Sequence, residues 1–209
     1  MGLPVGKAGS TGIRAWFSLA ASCLLLSLAA SAETSALSLH FSPAQTNIAF
    51  TIGDSLHTIH GSFGLKRGEV AFDTNTGAIH GLIVVDATSG QSGSRIRDRR
   101  MHRAILESAR YPEITFRPDR VQGKVPISGA SSVEVHGIFS IHGGDHEITL
   151  PARLQISPDH WILDLHFNIP YVKWGIRNPS TFLLRVSESV EIDVHATGPS
   201  PFAASRGQS

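Results

Sequence analysis

The chain has 209 residues, 41% apolar and 17% charged, with 18 basic residues against 17 acids for a net charge of +1. These proportions exclude a collagen-like, wholly disordered or polytopic membrane chain, and the near-neutral balance offers no electrostatic footprint for wrapping nucleic acid. The only cysteine is Cys23, so an intrachain disulfide framework and a thiolate zinc site are excluded and stability rests on packing.

The first 32 residues have their own character. Lys7 and Arg14 precede an apolar run from Ala15 to Ala30, which closes on the small residues Ala30-Ser31-Ala32. A basic flank, an apolar middle and small residues at a cleavage point predict a secretory signal peptide over 1–32, hence a periplasmic or secreted protein. A membrane anchor is the alternative, but the run falls short of the roughly 20 apolar residues a span requires. Lipoprotein processing at Cys23 would leave Leu24-Leu25-Leu26 at the mature end, an unfavourable place for them. Without residues 1–32 the basic residues number 16 against 17 acids.

From Leu37 onward apolar and polar residues alternate in runs separated by turn residues, the period of half-buried antiparallel strands. Ile48-Phe50-Ile52 is the first clear run, followed by Gly68 to Phe72 and Ala78 to Asp86. Arg95 to Ser108 breaks the pattern: Met101, Ala104, Ile105 and Leu106 have helical spacing, and Tyr111-Pro112 would close the helix because a residue before proline is pushed out of helical space. Strands resume at Ile114 to Phe116, at Val133 to Ile141 and at Ile148 to Ile156. The strongest alternation is Trp161-Leu163-Leu165-Phe167-Ile169 against Asp164, His166 and Asn168, and Val190-Ile192-Val194 completes the set.

Turn chemistry marks Asp73 to Gly77, Gly143-Gly144-Asp145 and Ser157-Pro158-Asp159. The segment Leu82 to Val85 is apolar on both sides, which leaves its inward face open, and Gly61, Gly81 and Gly137 mark bulges or bends within strands. About eight short strands with frequent turns make a sandwich or a closed barrel. Residues 199–209, rich in Pro, Ser and Ala, are expected to form a loose tail.

Four strings, "TNIAFTIGDSLHTIHGSF" with "GEVAFDTNTGAIHGLIVVDATS", "RDRRMHRAILESARYPEITFRPDRV", "VHGIFSIHGGDHEITLPARL" and "IPYVKWGIRNP" with "SVEIDVHATG", resemble the YceI-like family in their order and spacing. The resemblance covers nearly all of Leu37 to Gly198 and implies one domain over 33–198: an all-β, extended, eight-stranded antiparallel, lipocalin-like barrel with one short helix near 95–108. It also implies a polyisoprenoid, such as a quinone or polyprenyl tail, as ligand. The first hairpin departs from the family's commonest form, with Asp54 ahead of Leu56-His57-Thr58-Ile59-His60-Gly61, so no ligand contacts are carried over.

Inward members of alternating strands would line such a cavity, and Phe50, Phe63, Phe72, Phe116, Phe139, Leu165 and Phe167 are the candidates; each could equally be ordinary core. Arg95, Arg97, Arg99 and Arg100, with Arg103, form a candidate site for an anionic headgroup or membrane surface. The plainer reading is a solvated helix face on which Asp98 pairs with an arginine.

The chain has 11 histidines. His57 and His60 lie three apart in a strand pattern and point to opposite faces, and His142 and His146 flank a turn, yet no third ligand joins either pair at motif spacing. No metal site is expected, nor any cofactor beyond a bound lipid. No nucleophile elbow or phosphate-cradling loop is present in the sequence, so the expectation is a binding protein and not an enzyme. A filled barrel serving as a stress-response interaction module is the rival, a His-based metal protein a third reading, and pairing of two copies stays open.

Overall fold

The computed structural model describes residue 2 and residues 36–201, apart from 74, 75, 126 and 183. The expected signal peptide, residue 2 excepted, and residues 202–209 of the expected tail lie outside the described residues. The strands are β1 Ala36–Phe41, β2 Thr46–Gly53, β3 Thr58–Asp73, β4 Ile79–Gln91, β5 Glu113–Gln122, β6 Gly129–Ile141, β7 Gly144–Ile156, β8 His160–Ile169 and β9 Val190–Pro199. Helix α1, Arg95–Arg100, lies between β4 and β5.

Every pairing is antiparallel. The order is β1-β3-β2-β9-β8-β7-β6-β5-β4, and β4 returns to pair with β3. Strands β1 and β2 share one edge of β3: Phe41 lies opposite Gly68 and Ile48 opposite Phe63, with a 3-10 turn at Pro43–Gln45 between them. They act as one interrupted stave, so nine strand segments close a barrel of eight staves. At about 3.3 Å per residue the 16 residues of β3 reach roughly 50 Å, long enough to run past β2 and serve β1 as well.

Alternation sorts each strand into a wet and a dry face. On β8 the residues Asp164, His166 and Asn168 are exposed while Leu163, Leu165 and Phe167 are half-buried between them. On the doubly apolar β4, Ile83 and Val85 line the interior, and Val84 is fully buried between its register partners Arg67 and Thr115.

All hairpin polarities agree, so the barrel has two distinct ends. One, here called the upper end, carries the β2–β3 loop, α1 with the chain up to β5, the β6–β7 turn and the long connection 170–189. The lower end carries the β3–β4, β5–β6 and β7–β8 connections.

Three local expectations are corrected. The helix does not run to Ser108: α1 gives way to a π-helical turn at Met101–Ile105, and Glu107, with φ of 46°, ends it before Tyr111-Pro112 can. The π turn is fixed by His102, whose Nε2–H donates to the Gly90 carbonyl at 2.8 Å while Nδ1 meets the Ser108 hydroxyl at 3.0 Å. The β6–β7 turn is His142-Gly143, both left-handed (φ 53° and 77°), and Gly144 and Asp145 already belong to β7. That pair of positive φ values is the twist a two-residue antiparallel hairpin requires. Finally, Pro199 belongs to β9 and Ser200 is buried with its N–H donated to the Asp159 carbonyl, so the barrel extends past the expected start of the tail.

Gly81 has φ of 152°, and a Cβ there would lie 2.2 Å from the Glu69 carbonyl oxygen of the neighbouring strand. Gly81→Ala is therefore expected to cost at least about 2 kcal/mol from backbone strain and collision. Urea unfolding checks this; an unchanged midpoint would show that β3 and β4 can separate without penalty.

Candidate binding cavity

The inward faces enclose a hollow of about 410 Å³, within the roughly 300–1,000 Å³ usual for ligand sites. All seven residues singled out from the sequence line it: Phe50, Phe63, Phe72, Phe116, Phe139, Leu165 and Phe167. Five of them, Phe63, Phe72, Phe116, Leu165 and Phe167, are only half-buried although they point inward. Void rather than partner atoms stands on their inner side, which is how a hollow barrel differs from a close-packed core.

Aromatic rings can line this barrel without filling it because glycines make room in the wall. Phe50 lies opposite Gly61, Phe41 opposite Gly68 and Trp161 opposite Gly198. A Cβ on those glycines would come within 2.2, 2.9 and 2.6 Å of the respective side chains. Each side chain therefore folds onto bare backbone, a cross-strand pairing of aromatic and glycine known to stabilise sheets, and the barrel axis stays free.

The lower end is plugged. Leu37, Leu39, Leu154, Ile156, Trp161 and Ala196 form one buried cluster there, with Phe41 packed on Trp161 at 5.0 Å between ring centroids. At the upper end, one side is closed by Trp174, stacked on His146 at 4.2 Å and 3°, and by Tyr111 against His142 at 4.8 Å. Tyr171 anchors the 170–189 connection by donating its hydroxyl to the Ser187 carbonyl at 2.6 Å; burial pushes its pKa up to about 12.

The remaining side is the mouth. Of the described lining residues only Arg97 and Arg100 are exposed, so the hollow reaches solvent beside them, with Asp54, Ser92, Pro179 and Leu184 around it. Arg97 donates from Nε to the Ser92 hydroxyl and from Nη2 to the Ser92 carbonyl, both at 2.7 Å. Arg100 donates to the Pro179 carbonyl at 3.0 Å and so ties α1 to the long connection. Arg95 and Arg99, also singled out from the sequence, are exposed and do not touch the hollow. Asp98 does not pair with an arginine: it accepts the N–H and hydroxyl of Ser92. Asp54 accepts the N–H groups of Leu56 (2.8 Å) and His57 (2.7 Å), which hold its carboxyl below the usual carboxylate range and shape the β2–β3 loop.

The sequence reasoning missed the mouth's other contributors, Pro179, Leu184 and Val186, because the 170–189 connection lacks any periodicity that would announce a wall.

The histidines go to separate partners. His57 sits in the β2–β3 loop and His60 meets Thr51 across the strand pair at 3.0 Å, while His142 and His146 face Tyr111 and Trp174. Among the described residues no group of three or more His, Cys, Asp or Glu could hold a metal ion. On the outer wall His136, His166 and His195 each meet an aspartate, Asp119, Asp193 and Asp164, at 2.7 Å. The hydrogen bond and charge of Asp193 raise the His166 pKa above its ordinary 6.5. A raised value means that the pair stabilises the fold fully below pH 6.5 and that the contribution fades as pH rises through the folded-state pKa. In Asp193→Asn the imidazole midpoint read by NMR should fall back toward 6.5; a midpoint that stays put would show that Asp193 is not the cause.

The same architecture occurs in proteins of known structure. The crystal structure of Burkholderia cenocepacia BcnA superposes with a TM-score of 0.63 at 16% identity, covering 76% of this chain and 99% of that one. A polyisoprenoid-binding domain from Saccharophagus degradans, implicated in plant cell wall breakdown, gives 0.59 at 15% identity over 79% of this chain and 99% of that one. The Campylobacter jejuni YceI protein gives 0.52 at 14% identity over 67% and 81%. No protein of curated function matches the chain. At these identities the superpositions speak for the fold alone; the sequence itself matches the YceI-like domain from residue 39 to residue 198, nearly the whole barrel, and the chain belongs to that family.

Proposed function

We propose that this protein is an exported carrier that holds a long apolar chain, an isoprenoid such as a quinone or polyprenyl tail, along the barrel axis, with the polar head at Arg97 and Arg100. One observation carries the reading: a nearly all-apolar hollow whose only exposed lining residues, among those described, are two arginines. Burial of each CH₂ contributes about 0.8 kcal/mol, so a tail of several isoprene units outweighs the cost of association without a specific hydrogen bond. The polyisoprenoid-binding description of the Saccharophagus degradans domain supports the same ligand class. Export is supported by the basic, apolar and small-residue layout of residues 1–32.

The reading is of a binding protein, not a catalyst, and of a hollow barrel in preference to a filled interaction module. Native mass spectrometry and organic extraction of protein purified from its host test it. Recovery of one apolar chain per protein is expected; protein that carries none, and takes up none when offered polyprenol or quinone, would end the proposal.

A further inference from the structure

The described residues include four large apolar side chains that stand out in solvent, and three of them are at the upper end: Leu56 (72% exposed), Ile96 (80%) and Phe182 (100%). They come from three separate segments that the fold brings to the mouth. The Ser55 N–H donates to the Arg185 carbonyl at 2.9 Å, joining the loop of Leu56 to that of Phe182, and the Arg100–Pro179 bond joins the latter to α1, which carries Ile96. Two fixed local structures hold the tips outward. The Asp54 carboxylate organises the turn beneath Leu56, and a turn from the Thr181 N–H to the Leu184 carbonyl (2.8 Å) puts Phe182 at its apex.

The charge around these tips is one-sided. Helix α1 and the turn after it supply Arg95, Arg97, Arg99, Arg100 and Arg103, and the long connection supplies Lys173, Arg177 and Arg185. Against these eight cations the segments 53–58, 92–103 and 170–189 hold three acids, Asp54, Asp98 and Glu188, a balance of +5 in a chain whose whole balance is +1. None of the eight has an ion pair among the described residues, whereas Lys66, Arg67 and Arg117 on the walls, and Arg110 in the chain just before β5, all do. Three further cations without an ion pair, Arg120, Lys124 and Arg153, are scattered toward the lower half.

Apolar tips within a field of unpaired cations match a surface with an apolar interior and anionic headgroups. We infer that the upper end is a docking face for an anionic lipid bilayer: Phe182, Leu56 and Ile96 enter the boundary between headgroups and acyl chains, and the surrounding arginines meet the phosphates. The cavity mouth lies within the same face, so an apolar chain passes between bilayer and barrel without crossing water. This rests on the carrier reading for its purpose, but not for its test.

Flotation of the folded protein with vesicles of phosphatidylcholine alone, or with a third phosphatidylglycerol, reads docking directly. Binding to the anionic vesicles is expected to exceed binding to neutral ones at least tenfold and to weaken in high salt, since each cation near such a surface is worth about fivefold. Phe182→Asp with Leu56→Asp, and separately Arg95→Glu with Arg99→Glu, should each lower binding at least tenfold. All four positions are exposed and off the cavity wall, so uptake of an apolar fluorophore should be unchanged and serves as the folding control. Equal binding to both vesicle types, or unchanged binding by both double variants, would overturn docking. A cavity-blocked protein that still floats with anionic vesicles would separate failure of the carrier reading from failure of this one.

Discussion

Trp161→Ala is expected to lower the free energy of unfolding by about 3–5 kcal/mol. For a domain of this size that shifts the thermal midpoint down by roughly 6–20 °C, readable by circular dichroism or differential scanning calorimetry. Trp161 is 1% exposed and closes the lower end, covering Gly198 and packing on Phe41. Alanine would leave a gap beneath a barrel that is already hollow above it. Glycine opposite cannot move inward to fill the space, and Leu154 and Ile156 are held by their own strand pairings. A loss below about 1 kcal/mol would mean that the end collapses freely, and the plug would then be no structural anchor.

Val194→Trp should do the reverse, sparing the fold and removing the ligand. Val194 is half-buried, lines the hollow, and sits in register between Ile48 and Leu165. In a well-packed core so large an insertion costs about 1–3 kcal/mol or more. Here the indole enters empty space, and stability should change by less than about 1 kcal/mol. A chain held along the axis as proposed would then lose contact for several CH₂ groups at about 0.8 kcal/mol each, so its dissociation constant should rise about a hundredfold or more. Titration with a fluorescent polyprenyl or quinone analogue measures this. Strong destabilisation with binding intact would point to a barrel filled at this level and an occupant lodged elsewhere.

Much of the barrel is legible in strict alternation, because a half-buried strand writes its two faces directly into sequence. Phe167 and Leu165 could be assigned inward for that reason alone, flanked as they are by His166 and Asp164. The same pattern cannot say whether an inward phenylalanine meets another side chain or a void. That depends on where rings lie, and it is decided by glycines 61, 68 and 198, whose partners are set by cross-strand register and not by the local pattern. The helix was visible by composition, but its conversion to a π turn depends on His102 reaching the Gly90 carbonyl, a tertiary contact. Likewise the arginine cluster was evident, while the selection of Arg97 and Arg100 over Arg95 and Arg99 follows from how α1 sits across the opening. The pairing of β1 with β3 beyond the 3-10 turn was also hidden, since a stave split in two reads as two unrelated short runs.

The strand that seals the ring is the last one made. Pairing of β2 with β9 sets Thr46 beside Ala196, a separation of about 150 residues that must be bridged by slow, nonlocal closure. Until Val190 and its successors arrive, β2 and β8 each present a bare edge and the oily inner surface is an open trough, a state prone to sticking to its neighbours. A chain cut before β9 is therefore expected to give an aggregating open sheet and not a weakened barrel.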